Sequence, residues 1–196
     1  MNLGSGTGTT LYSVLMLLNG ALMSLFLQTN LKRSANTIER MAVHDIMTGM
    51  LNRRGYMKKA PIELEAAKQK GKVFALLSAD MDHMKDINDQ YGHLMGDEAI
   101  CRMGRALEGL SCYGITPVHI SGDEFLAYGI VKNYNEAEKL IQYVNDALIK
   151  INREEPWICD ISASLGVFAA VPKEGETLDM FMTNADRAMY EDKNNS

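Results

Sequence analysis

The first 31 residues carry no charged side chain: all 20 basic and all 25 acidic residues fall after Leu31. A chain divided in this way has an uncharged leader and a charged body of 165 residues, the size of one domain with its own core. With 46% hydrophobic and 23% charged residues overall, wholesale disorder is excluded. The net charge of -5 argues against a general nucleic-acid binder, which would carry a basic stripe. Cys101, Cys112 and Cys159 are an odd number without CxxC spacing, so reduced thiols are expected rather than a disulfide framework or a zinc ribbon.

Residues 1–10 are rich in Gly, Ser and Thr and read as a flexible start. Leu11 to Leu27 are strongly apolar, interrupted by Ser13, Asn19, Gly20 and Ser24. Two readings of this run stay open. It falls short of the roughly 20 apolar residues of a membrane span, although Lys32 and Arg33 would place the following body on the cytoplasmic side, attached to the inner face of the membrane. Alternatively, Leu11, Leu15, Leu18, Leu22 and Leu25 alternate spacings of four and three, the mark of a coiled-coil seam. The dimerising helix is the preferred reading, with the membrane anchor over residues 11–27 as its competitor. Residues 1–40 are thus expected to form a leader and 41–196 one domain.

Within the body, residues 30–43 are polar and helical in pattern, and Asp45–Arg54 reads as a turn into a helix that starts near Arg53 and ends at Lys72. The apolar run Val73–Ala79 reads as a buried strand, with Asp80 and Asp82 at its carboxyl end. A helix is expected over 96–110, then strands over 117–120 and 125–131 joined by Ser121-Gly122-Asp123-Glu124, a hairpin signal. Residues 135–151 read as a helix, 158–171 as a strand pair or one long strand, and 178–192 as a final helix. The expected fold class is therefore α/β (α+β), with helices packed on a sheet.

Asp80 ends a strand, and Asp123 with Glu124 lies at a hairpin tip. If those strands are neighbours, hard oxygen ligands converge at one end of the sheet, a setting that suits Mg²⁺ shared with phosphates. Carboxylates also favour turns and strand ends with no such role, so the acids alone leave the matter open.

The stretch from Asp80 to Asp97 (DMDHMKDINDQYGHLMGD), followed by Ser121-Gly-Asp-Glu-Phe125, resembles the GGDEF domain of bacterial diguanylate cyclases. Asp45…Thr48-Gly49…Asn52-Arg53-Arg54, Ser164-Leu-Gly166 and Ala185-Asp186…Met189-Tyr190…Lys193 resemble the family's opening, late-strand and closing motifs, in family order. The resemblance covers roughly residues 41–196 and implies a mainly antiparallel, palm-like sheet flanked by helices. It also implies condensation of two GTP molecules into cyclic di-GMP by a dimer that uses Mg²⁺ (or Mn²⁺). Carried over residue by residue, Asp80 and Asp123 match the metal-binding acids, with the Met81 carbonyl completing the site and Glu124 as an adjacent catalytic acid. Asn88 and Asp97 match the guanine readers, Lys85 and Lys193 the cations on the phosphates, and Gly122 the point of backbone approach to the triphosphate.

Departures from the family pattern are Ser121 for the signature's first Gly, Met84 for Phe, and His119 for Arg. That last exchange is expected to make one positive charge beside the nucleotide depend on pH. The sequence also stops before the Gly-Arg that follows the family's closing lysine, a difference expected to cost a phosphate or packing contact. The RxxD of the product-inhibition site is replaced by Cys112-Tyr113-Gly114-Ile115, so no feedback inhibition by that route is expected. From another function class, a degenerate domain that binds GTP or a partner without catalysis is the alternative. A cyclase for another base is a third reading, weakened by the guanine-matching pair.

Overall fold

In the computed structural model, which describes residues 5–155 and 157–195, the apolar run after Lys72 forms strand β2 (Val73–Met81), an interior strand of the sheet. Its alternate side chains enter two cores. Val73, Ala75, Leu77, Ala79 and Met81 face one, and Phe74 and Leu76 face the other. Such a strand, buried on both faces, reads as a continuous apolar run rather than an alternating one.

The remaining strands are β1 (Leu51–Asn52), β3 (Ile115–Ser121), β4 (Glu124–Val131) and β5 (Ala163–Ala170), in the order β1-β3-β4-β2-β5. Only β1 and β3 pair in parallel; the other three pairs are antiparallel. Gly122 and Asp123 form the tight turn between β3 and β4, and a register shift between His119 and Ser121 precedes it. Such a bulge bends the strand and re-aims the side chains beyond it.

One core is closed by helices α3 (Met84–Tyr91), α4 (His93–Glu108) and α5 (Tyr134–Glu154), the other by α2 (Arg53–Gln69) and α6 (Leu178–Asn195). Asn52 caps α2 by accepting the Gly55 N–H at 2.9 Å, and Asn133 caps α5 through the Glu136 N–H at 3.0 Å. Ala137, Leu140, Val144 and Leu148 form the buried stripe of α5. The cysteines Cys101, Cys112 and Cys159 are free thiols.

Two expectations about elements need correction. No helix was expected between Asp82 and residue 96, yet α3 occupies Met84–Tyr91 and α4 begins three residues early, with Gly92 at φ +83° turning the corner. An eight-residue helix spans too few turns for its periodicity to stand out. The expected strand over 158–171 is β5 alone, because Asn152 binds both the N–H and the carbonyl of Ile161 (3.0 and 2.9 Å) and holds that segment in another path.

Helix α1 (Ser5–Val43) contains the leader, and the chain divides into one compact unit up to Ala42 and another from Val43. The described part of the glycine-rich start, from Ser5, is helical; residues 1–4 lie outside the described residues. Leu15, Leu18, Leu22 and Leu25 are exposed along α1, while the side chain of Leu11 lies outside the described set. Among the described residues, no helix is long and apolar enough to cross a membrane.

Candidate active site

The turn of the β3–β4 hairpin lies against the end of β2. The Met81 N–H donates to the carbonyl of Asp123 at 3.1 Å, and Asp80 stands opposite Glu124 in the β2–β4 register. Gly122 sits at φ +53°, a conformation that a side chain would strain. A Cβ there would meet nothing, so it is backbone shape rather than crowding within the fold that calls for glycine. The Ser121 hydroxyl, at the signature's first position, donates to Glu124 Oε2 at 3.2 Å.

Lys193, near the end of α6, forms an ion pair with Asp80 Oδ1. That hydrogen bond raises the lysine's pKa against the opposing effect of burial, and the charges of Asp80, Asp82 and Asp123 add to the rise. The electrostatic neighbourhood of Lys193 therefore contains three carboxylates, and the ammonium stays charged at physiological pH.

The second of these acids, Asp82, carries a role the sequence did not reveal. Asp82 accepts hydroxyl hydrogen bonds from Ser162 and Ser164, both at 2.8 Å, while its N–H donates to the Ser162 carbonyl at 3.0 Å. It fastens the end of β2 to the start of β5, directly beside Asp80. Its place two residues after Asp80, just past the end of β2, was the available signal.

Asn88 and Asp97 lie on α3 and α4, on the other face of the sheet from α6. Asn88 packs against Gly96, where any Cβ would collide with its amide oxygen. If Asn88 reads the base, as the family resemblance implies, Gly96→Ala should turn its amide away and raise KM for the nucleotide roughly tenfold, the scale of one buried hydrogen bond, with kcat changed less. An unchanged KM would separate Asn88 from base recognition. Lys85 is exposed in the first turn of α3. No contact described joins it, Asn88 or Asp97 to the Asp80–Asp123–Lys193 group.

His119 packs against the signature turn. Its ring is buried and stacked on Phe125 at 4.7 Å, with Nδ1 3.0 Å from Asp45 Oδ1 and Nε2 3.1 Å from the Gly122 carbonyl. It ties the opening motif to the signature turn. Asp45 Oδ1 also accepts the Thr48 N–H and hydroxyl, each at 2.8 Å, which explains the Asp…Thr spacing of that motif. Burial alone would raise the Asp45 pKa, but the Thr48 N–H and the His119 contact overcome it and hold the carboxyl below 3.8. A carboxyl depressed on folding adds stability above its unfolded value and loses it as pH falls through the folded one. Thermal melts between about pH 5 and pH 2 should therefore fall less steeply for Asp45→Asn than for the natural chain; parallel curves would show that Asp45 carries none of the acid sensitivity.

Among the described residues, no group of three or more His, Cys, Asp or Glu side chains is placed to hold a metal ion. Asp80, Asp123 and the Met81 carbonyl offer fewer protein ligands, all hard oxygens. That set fits Mg²⁺, which keeps several waters and is shared with substrate phosphates. Soft or redox metals would ask for sulfur or imidazole, and neither is in the set.

A palm-like sheet with carboxylates at the end of an interior strand and in the adjoining hairpin marks a nucleotide-cyclase class of domain. The family model described as diguanylate cyclase, GGDEF domain matches residues 42–196, and the chain belongs to that family. Diguanylate cyclase VdcA of Vibrio cholerae is 29% identical over 170 residues, covering 85% of this chain and 48% of the relative. Diguanylate cyclase DgcM of Escherichia coli K12 is 30% identical over 174 residues, covering 85% of this chain and 40% of the relative. The chain thus spans about half the length, or less, of these curated relatives. The coiled coil and GGDEF domain of DgcB from Caulobacter crescentus, solved with c-di-GMP, matches with a TM-score of 0.80 at 20% identity, covering 92% of this chain and 95% of that one. A sensory box/GGDEF family protein from Caulobacter crescentus CB15 matches with a TM-score of 0.69 at 28% identity, covering 79% of this chain and 99% of that one.

Proposed function

We propose that the chain condenses two GTP molecules into cyclic di-GMP, acting as a homodimer. The observation that carries this reading is the meeting of Lys193, Asp80 and the Asp123 turn at one end of the sheet. In each half of the reaction the 3′-hydroxyl oxygen of one GTP forms a bond to the α-phosphorus of the other. The bond from that phosphorus to pyrophosphate breaks, and the hydroxyl proton is given up.

Asp80, Asp123 and the Met81 carbonyl would hold Mg²⁺ or Mn²⁺. When bound, such an ion withdraws negative charge from the phosphates and favours the departure of pyrophosphate. Lys85 and Lys193 would neutralise phosphate oxygens as charge grows on them. Asn88 and Asp97 would hold the base, the carboxylate accepting the guanine N1–H and N2–H₂ donors. Glu124, across from Asp80, is the adjacent acid, and Gly122 keeps the turn open to the triphosphate.

One domain holds one GTP in this scheme, so two must face each other about a two-fold axis. The exposed leucines of α1 support a second copy of this helix as their cover, raising the effective concentration of paired domains. Light scattering without detergent should then give a dimer. Recovery only with lipid vesicles would assign the leucine seam to a membrane surface instead, with the domain on its cytoplasmic side.

The deciding experiment incubates the full chain with GTP and Mg²⁺ and follows cyclic di-GMP and pyrophosphate by chromatography. Measurable GTP binding without either product would leave a binding module in place of an enzyme.

A further inference from the structure

A cleft of about 680 Å³ opens from the same end of the sheet on the face covered by α2 and α6. Its size is that of a ligand pocket. Ser78, Asp80 and Glu124 line it, so it adjoins the carboxylate group, but it lies on the opposite face from Asn88 and Asp97.

Tyr56 lines this cleft with only 2% of its surface exposed, and among the described residues its hydroxyl is the buried side-chain polar atom with no hydrogen-bond partner. A buried hydroxyl left unpaired is costly, so this one calls for a partner the chain does not supply. Burial, then the charge of Asp179, push the phenol well above its ordinary pKa, and it remains a donor. Asp179 and Asp186 line the cleft beside it, the latter accepting the Ser78 hydroxyl on Oδ1 at 2.6 Å. Arg53 and Arg187, both exposed, also line it, and Met57, Ile120 and Met182 supply apolar walls for a flat ring.

The complement of a hydroxyl donor flanked by carboxylates is a planar ligand with one acceptor next to two donors, carrying an anionic group for the arginines. Guanine presents that edge in O6, N1–H and N2–H₂, whereas adenine offers a single donor group there. We propose that the α2–α6 cleft is a second guanine-nucleotide site. In it, Tyr56 donates to O6, Asp179 accepts from N1–H and N2–H₂, and Arg53 with Arg187 receives the phosphates. The cleft's chemistry is independent of turnover and also of the Asn88–Asp97 pair.

Equilibrium dialysis of the full chain with GDP and Mg²⁺ tests this without condensation, because GDP carries no triphosphate to condense. The expected result is two equivalents of GDP per chain. Tyr56→Phe should weaken one of them about tenfold, and Asn88→Ala/Asp97→Ala should remove the other. Since the Tyr56 hydroxyl has no partner, Tyr56→Phe should melt no lower than the natural chain in the absence of nucleotide. Should it fold poorly, Asp179→Asn, on the exposed α6 surface, makes the same test. ADP should compete weakly. An isotherm unchanged by both Tyr56→Phe and Asp179→Asn would overturn the cleft site while leaving the Asn88–Asp97 reading untouched. Loss of an equivalent only in the cleft variants would support the cleft and overturn the other pair. Equal binding of ADP would overturn the assignment to guanine.

Discussion

Asp123→Asn should lose at least about a thousandfold in turnover of GTP, while its melting temperature stays within about 2 °C of the natural chain. A metal-held phosphate contributes several kcal/mol to the transition state, and each 1.36 kcal/mol is tenfold in rate. The carboxylate is half-buried at the hairpin tip, and Asp123's described link to the fold is its backbone carbonyl, which accepts the Met81 N–H and survives the substitution. A partly exposed side chain without such packing changes stability by about 0.5 kcal/mol at most, or about 2 °C for a chain of this size. Stopped turnover in a fully folded protein thus separates a chemical role from a structural one. An active variant would move the catalytic acid elsewhere, with neighbouring Glu124 the first to examine.

Gly166→Ala is expected to have the largest effect on the fold. Gly166 lies on β5 where α6 crosses it, and an added Cβ would run into the backbone of Met189 and Ala185. Neither is the flexible end of a side chain, so the helix itself must move. Overpacking of this kind costs about 1–3 kcal/mol and sometimes more, which corresponds to a fall of roughly 6–12 °C at the upper end. The same displacement would carry Lys193 away from Asp80, because both depend on the seating of α6. Gly166→Ala should therefore lower kcat beyond what the fraction unfolded explains. A melt and a kcat both within error of the natural chain would show that α6 can shift at no cost. The glycine of the late-strand motif is thus a packing requirement with a functional consequence, which its sequence position alone does not reveal.

Several elements were legible from short-range rules. The start of α2 at Arg53 follows from the Asn52 cap, and the hairpin from Gly beside Asp between apolar runs. Helix α3 was missed for want of length, and the path before β5 because its hydrogen bonds come from Asn152 on another element. His119 shows the same limit. Its place two residues before the signature was legible, but its contact with the Asp45 turn, 74 residues earlier, was not.

What the sequence determined by itself was the family, most of the longer strands and helices, and the residue types of the candidate site. These rest on residue types at fixed spacings, which local rules can read. The tertiary structure decided which groups meet: Lys193 with Asp80 across 113 positions, Ser162 and Ser164 with Asp82, and an unpaired Tyr56 hydroxyl beside a cleft. Such meetings depend on how helices seat on a sheet, and that is set by packing between residues far apart in the chain. The uncharged leader keeps the division seen at the start. Its described seam leucines, Leu15, Leu18, Leu22 and Leu25, are exposed along one long helix.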